Sequence, residues 1–232
     1  GPMKALLVFA LFFPTFAVFS YFHFAANPAE TQLWYTASKV AQFSLPLLGI
    51  LFLGMKRRWN FRFSAGEVKT GIASGLGILG SLFALYFSIR HLPFLAGTKA
   101  AIELKLVDFG ASTPLSFLAL AAFIAVAHSF LEEYYWRGFV FAELKSWLGT
   151  RAAVLVSSLG FTGHHVVVIH KYCPPDLVWV LVPLFSGFVF VGGLLWAWMY
   201  QKNNSLAGVW ISHFFADVAI LAVGAQLVFG FM

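Results

Sequence analysis

A chain of 232 residues with 60% hydrophobic and 10% charged residues, and a mean hydropathy of +0.83, is not a soluble domain, where charged residues average about 25%. Its net charge of +6 does not indicate nucleic acid, because the basic residues gather between apolar runs, as topology determinants do. The single cysteine, Cys173, excludes an internal disulfide framework and a thiolate metal cluster. The fold class is therefore all-α, a polytopic transmembrane helix bundle of about seven spans. Residues 3–232 form one membrane-embedded domain, and Gly1-Pro2 ahead of Met3 reads as the remnant of a protease cleavage site.

The first apolar run, Ala5–Phe24, is long enough to cross a bilayer core of ~30 Å. It is too long for a signal-peptide core, and Phe22-His23-Phe24 is a poor small-residue cleavage site. After the polar turn Asn27–Gln32, a second span covers Leu33–Met55 and ends at Lys56-Arg57-Arg58, with Arg62 close behind. This basic cluster is expected in the cytoplasm, which puts the N-terminus inside as well. The third span, Val68–Ile89, carries Gly71 and Gly75 in the small-xxx-small spacing that lets helices approach closely. Arg90–Pro114 is a polar interlude in which Ala100–Val107 is expected to lie at the interface. Four further spans follow: Leu115–Trp147, Ala152–Ile169, Leu177–Tyr200 and Leu206–Phe229, with the C-terminus outside. The fourth is longer than a bilayer requires and is expected to tilt or extend into the cytoplasm. No internal repeat is visible.

Ionisable residues at depth are the informative ones, since each costs roughly 2.5–3.5 kcal/mol even on the mildest insertion scales. The fourth span holds Glu132, Glu133 and Arg137. Glu133 and Arg137 are four apart and can pair on one helix face, while Glu132 points about 100° away, on the face of His128. The fifth span carries Phe161, His164 and His165, and the seventh carries His213 and Asp217, again four apart. At ~1.5 Å per residue the depths of Glu132, His165 and His213 overlap near the middle of the membrane. The spacing therefore permits Glu132, His165, His213 and Asp217 to line one polar cavity. His128 and His164 read as helix-interior histidines bonded to a neighbouring carbonyl, and His23, His91 and His170 as span-end residues without a chemical role. A carboxylate pair and two imidazoles are possible ligands for a zinc-like ion. They equally supply a base, an orienting group and oxyanion donors for metal-free hydrolysis. No phosphate-binding glycine loop, Gly-x-Ser-x-Gly elbow or His-Glu-x-x-His helix is present.

The series Glu132-Glu133-x-x-x-Arg137, Phe161-x-x-x-His165 and His213-x-x-x-Asp217 resembles the motifs of the CPBP intramembrane proteases. That family includes the type II CAAX prenyl endopeptidases and the bacteriocin-processing or self-immunity proteins. The resemblance covers about Leu115–Phe229 and leaves the first three spans without a family signature. It implies a glutamate-dependent peptidase in which Glu132 is the general base for water and His165 shares or orients that water. His213 and Asp217 would stabilise the oxyanion, while Glu133 and Arg137, with Phe161, support the helices. The eukaryotic CAAX enzymes end the series in Asn where this chain has Asp217, so oxyanion donation here needs a protonated carboxyl. The family has also been described as metal-dependent. No cofactor is assigned; a divalent metal such as zinc would fall to Glu132, His165, His213 and Asp217. The implied partners are the bilayer and a membrane-anchored protein or peptide substrate, with no nucleic acid. The implied location is a bacterial inner membrane. Two other classes are a non-catalytic membrane scaffold or immunity protein, and a proton-coupled transporter, which would call for repeat symmetry.

Overall fold

Four of the helices begin where the sequence supplies a capping side chain. In a computed structural model describing residues 1–56 and 59–231, the Asn27 side chain accepts from the Glu30 amide at 2.9 Å. With Pro28 in the first turn, this starts a helix five residues earlier than apolarity alone suggests. Ser64 and Ser205 cap two later helices in the same way, and Thr113 with Ser116 forms a reciprocal capping box. Among the described residues there are eight helices and no strand. These are α1 Pro2–His23, α2 Pro28–Leu53, α3 Ala65–Ile89, α4 Phe94–Asp108, α5 Pro114–Leu148, α6 Thr150–Tyr172, α7 Val178–Asn203 and α8 Leu206–Phe229. All but α4 are long and apolar enough to cross a membrane, which gives the seven spans that hydropathy indicates. Of the basic cluster after α2, Arg57 and Arg58 lie outside the described residues.

Contacts between helix ends show how the chain alternates. At one end, Lys4 lies 4.8 Å from the centroid of the Trp147 ring. There the Leu206 amide also donates to the Asn60 carbonyl at 2.8 Å. At the other end, Lys105 sits 4.9 Å above the Phe22 ring, Thr98 donates to the Tyr172 carbonyl, and Gln32 donates to the Asp108 carbonyl. The helix α4, longer than the Ala100–Val107 stretch expected, thus packs across the ends of α1, α2 and α6. The α5–α6 turn needs Gly149, whose φ of +80° suits a residue without a Cβ.

The most extensive pair is α3 against α8, and glycine makes it possible. A Cβ on Gly71 would come within 2.6 Å of the Gly208 carbonyl oxygen, and one on Gly75 within 2.9 Å of the Phe215 Cβ. The small-xxx-small spacing is therefore used for packing.

The main core fills the half of the bundle toward Lys4. Tyr135, Trp136, Val140 and Leu144 of α5 are fully buried there against α1, α6 and α7. Sequence periodicity did not reveal that α5 is not a uniform α-helix. Phe123–His128 and Tyr134–Phe141 are π-helical and flank one α-helical turn, Ser129–Glu133. Such wide turns recur at functional sites because they change the direction in which neighbouring side chains leave the helix. Glu132 and Glu133 sit on the turn between them.

Candidate functional site

Four helices bring their polar residues to that turn. Glu132 is 3% exposed, Glu133 not at all, and Arg137 2%, so the three charges must be satisfied within the protein. Arg137 Nη1 donates to Glu133 Oε1 at 3.1 Å, the ion pair expected from the i,i+4 spacing. Its Nη2 donates to the Gly193 carbonyl of α7 at 3.2 Å. The guanidinium also lies 4.6 Å from the Phe161 centroid and 5.4 Å from that of Trp196. Phe161 therefore covers the buried cation from α6. A Cβ on Gly193 would meet Ser158 at 3.2 Å, so the close α6–α7 approach also depends on a glycine.

His213 of α8 ties the two carboxylates together. Its Nδ1 donates to Glu133 Oε1 at 2.7 Å, so one carboxylate oxygen serves both Arg137 and His213. Its Nε2 then faces Asp217 Oδ1 at 3.5 Å and Glu132 Oε2 at 3.8 Å. The ring stacks on Trp196 at a centroid distance of 4.2 Å, and Trp196 Nε1 donates to Ser212 on the adjoining turn of α8. Asp217 Oδ2 is buried without a hydrogen-bond partner.

Glu132 carries the largest cluster. His164 Nε2 donates to its Oε1 at 3.1 Å, and His128 Nε2 lies 3.9 Å from the same oxygen. One ligand atom each from Glu132, His164 and His165 lies within 4.8 Å of the other two. His165 Nδ1 is 3.0 Å from the Phe161 carbonyl. A carbonyl only accepts, so Nδ1 carries the hydrogen and Nε2 of the neutral ring keeps its lone pair. Trp136 stacks on His164 with an interplanar angle of 3°, and a Cβ on Gly160 would strike that indole at 2.9 Å.

Glu132, His165, His213 and Asp217 thus converge from three helices, with Glu133, Arg137 and Phe161 beneath them. Two sequence readings need correction. His164 is more than a spectator: its Nε2 holds Glu132, while its neighbour His165 bonds the Phe161 carbonyl. Glu133 does more than pair with Arg137, since it also orients His213. The residue set closest to metal-ligand spacing is Glu132, His164 and His165 rather than the four-residue set spanning α8. Two imidazoles and one carboxylate form a zinc-compatible donor set. Trp196 and Lys39 were not singled out from sequence. Lys39, in α2, is close enough to Glu132 for the two charges to interact.

Residues 114–219, just under half of the chain, match the family model described as type II CAAX prenyl endopeptidase Rce1-like. This range contains all three motifs and all four converging residues. No curated protein and no solved structure matched the chain.

Proposed function

From the match of residues 114–219 to the Rce1-like family model, we propose an intramembrane endopeptidase in which Glu132 activates the attacking water. The protein is an integral membrane protein, with seven apolar helices and a protease-family segment in the last four. The observation that carries the proposal is the buried Glu132 carboxylate, held by His164 with His165 beside it. Separations of up to 4.8 Å between those atoms suit one oxygen hydrogen-bonded to two groups at once.

In this reading His164 fixes Oε1 and leaves Oε2 of Glu132 to take the water's proton. His165 Nε2, with its lone pair free, accepts the second hydrogen and aims the oxygen at the scissile carbonyl. On the far side, the oxyanion forms near His213 and Asp217. The Nδ1 hydrogen of His213 is committed to Glu133, so His213 donates to the oxyanion only as an imidazolium, through Nε2–H. Asp217 donates only when protonated, and its unpartnered Oδ2 is the position for that hydrogen. A divalent cation such as zinc, held by Glu132, His164 and His165, would supply Lewis-acid activation of water.

Asp217→Asn separates these roles. A neutral donor is preserved by the amide, so cleavage should stay within about tenfold of wild type, less than the loss typical for removing an oxyanion donor outright. If activity and bound metal disappear together in that variant, Asp217 is a ligand rather than a donor. The measurement is turnover alongside metal content of the purified protein.

The substrate class is a membrane-anchored protein or peptide precursor. Comparing membrane-protein termini between cells with wild-type enzyme and cells with Glu132→Gln should reveal new termini only in the former; identical termini would sink the peptidase reading. The orientation follows from the basic residues: the Lys4 end faces the cytoplasm and Phe229 emerges outside, in a bacterial inner membrane. A C-terminal alkaline phosphatase fusion should therefore be active, and a silent fusion that is stably made reverses the orientation.

A further inference from the structure

The third span lies outside the family match at residues 114–219, yet it reaches the site through α8. Ser74 stands between Gly71 and Gly75, whose missing side chains bring α3 against α8, and its hydroxyl lies 3.0 Å from that of Ser212. Ser212 is fully buried and accepts from Trp196 Nε1 of α7, also at 3.0 Å. The indole it holds is stacked on His213, with centroids 4.2 Å apart and an interplanar angle of 16°. Serine, indole and imidazole thus close a loop, because Ser212 and His213 are neighbours in the chain. A second stack in the site has no such anchor: Trp136 lies over His164, and its Nε1 is buried without a hydrogen-bond partner.

His213 needs this support. Its Nδ1 is fixed by Glu133 at 2.7 Å, but one hydrogen bond lets the ring tilt about that contact and sweep Nε2 through the site. The terminal torsion of a histidine has broad minima, so packing rather than intrinsic preference sets the ring plane. The Trp196 face on one side, with the Phe161 edge at 6.1 Å on another, supplies that packing. The face is steady only while the indole cannot turn, and the bond from Nε1 to Ser212 holds it. Groups that act on a reacting centre must be held to about 0.5 Å, which a ring pivoting on one bond is not. We propose that Trp196 is a positioning residue, anchored by Ser212 and Ser74, that keeps His213 Nε2 on the side where the oxyanion forms. The proposal rests on the peptidase reading and extends the working site to α3.

The test reads the ring and the reaction separately, at one fixed pH. With isotopically labelled histidine, His213→Gln identifies the His213 Cε1–H magnetic-resonance signal among those of the seven histidines. The stacked indole should shield that proton, and Trp196→Leu should abolish the shielding. In Ser74→Ala, whose lost hydroxyl reaches the ring through Ser212 and Trp196, the signal should lose part of its shielding and broaden. Ser212→Ala should do the same more strongly. Turnover per folded molecule is measured on a peptide spanning the terminus found by comparing wild-type and Glu132→Gln cells. In Ser212→Ala and Trp196→Leu, kcat should fall about 10- to 100-fold with KM unchanged, because oxyanion contacts form only in the transition state. Ser74→Ala should cost roughly 2- to 10-fold, the worth of one neutral hydrogen bond. Trp196→Phe keeps a face without the anchor and should fall between wild type and Trp196→Leu; it carries the test with Ser212→Ala if Trp196→Leu does not fold. A residue that merely fills space would lower yield and unfolding temperature while leaving kcat per folded molecule intact. A His213 signal identical in wild type, Ser74→Ala and Ser212→Ala overturns the anchor. A kcat within about twofold of wild type in Ser212→Ala overturns the positioning role. If no cleaved terminus is found while the His213 signal responds as stated, the peptidase reading fails and the clamp on the ring stands.

Discussion

Glu132→Gln is expected to lower peptide cleavage by roughly 10²- to 10⁴-fold, the range associated with removing a general acid–base group. The folded protein should remain at wild-type abundance. Glutamine has nearly the same volume, and its carbonyl oxygen still accepts from His164 Nε2, the bond that holds Oε1 at 3.1 Å. What it lacks is the capacity to take a proton from water. Turnover measured per folded molecule, together with thermal unfolding in detergent, checks both halves of this statement. Near-normal turnover would remove Glu132 from the mechanism and move attention to His165, whose Nε2 is the other free base in the cluster.

Much of this site can be read from the chain because charge is conspicuous in an apolar run. Glu132, Glu133, Arg137, His213 and Asp217 stand out for that reason, and i,i+4 spacing pairs Glu133 with Arg137 and His213 with Asp217. The seven spans follow from hydropathy, with starts shifted to the capping residues Asn27, Ser64 and Thr113. The choice between His164 and His165 is of another kind. Adjacent residues point about 100° apart on a helix, so which one reaches Glu132 depends on how α6 crosses α5. That crossing depends on Gly160, against Trp136, and on the π-helical turns on either side of Ser129–Glu133, which hydrophobic period does not reveal. Lys39 passes unnoticed for a related reason. A lone lysine in a span can be read as snorkelling along its own stem until Gln42, Phe43 and His128 are seen beside it.

Glu133→Gln should damage stability first and activity second. Arg137 would lose its counter-charge and keep only neutral partners around a fully buried charge: the glutamine carbonyl, the Gly193 carbonyl and two aromatic faces. Breaking a buried pair by removing one partner typically costs about 3–5 kcal/mol, a large fraction of the stability of most domains. Yield and unfolding temperature in detergent should therefore fall clearly. The same oxygen orients His213, so the molecules that do fold should also turn over more slowly, by roughly 10- to 100-fold if Glu133 acts as orienting partners of functional histidines generally do. The double variant Glu133→Gln/Arg137→Met distinguishes the two contributions. It removes the stranded cation, so stability should recover, yet His213 still lacks its carboxylate and turnover should stay low. Recovery of both would reduce Glu133 to an ion-pair partner with no influence on His213. A single variant as stable as wild type would instead show that neutral acceptors and the aromatic rings can carry the Arg137 charge without a carboxylate.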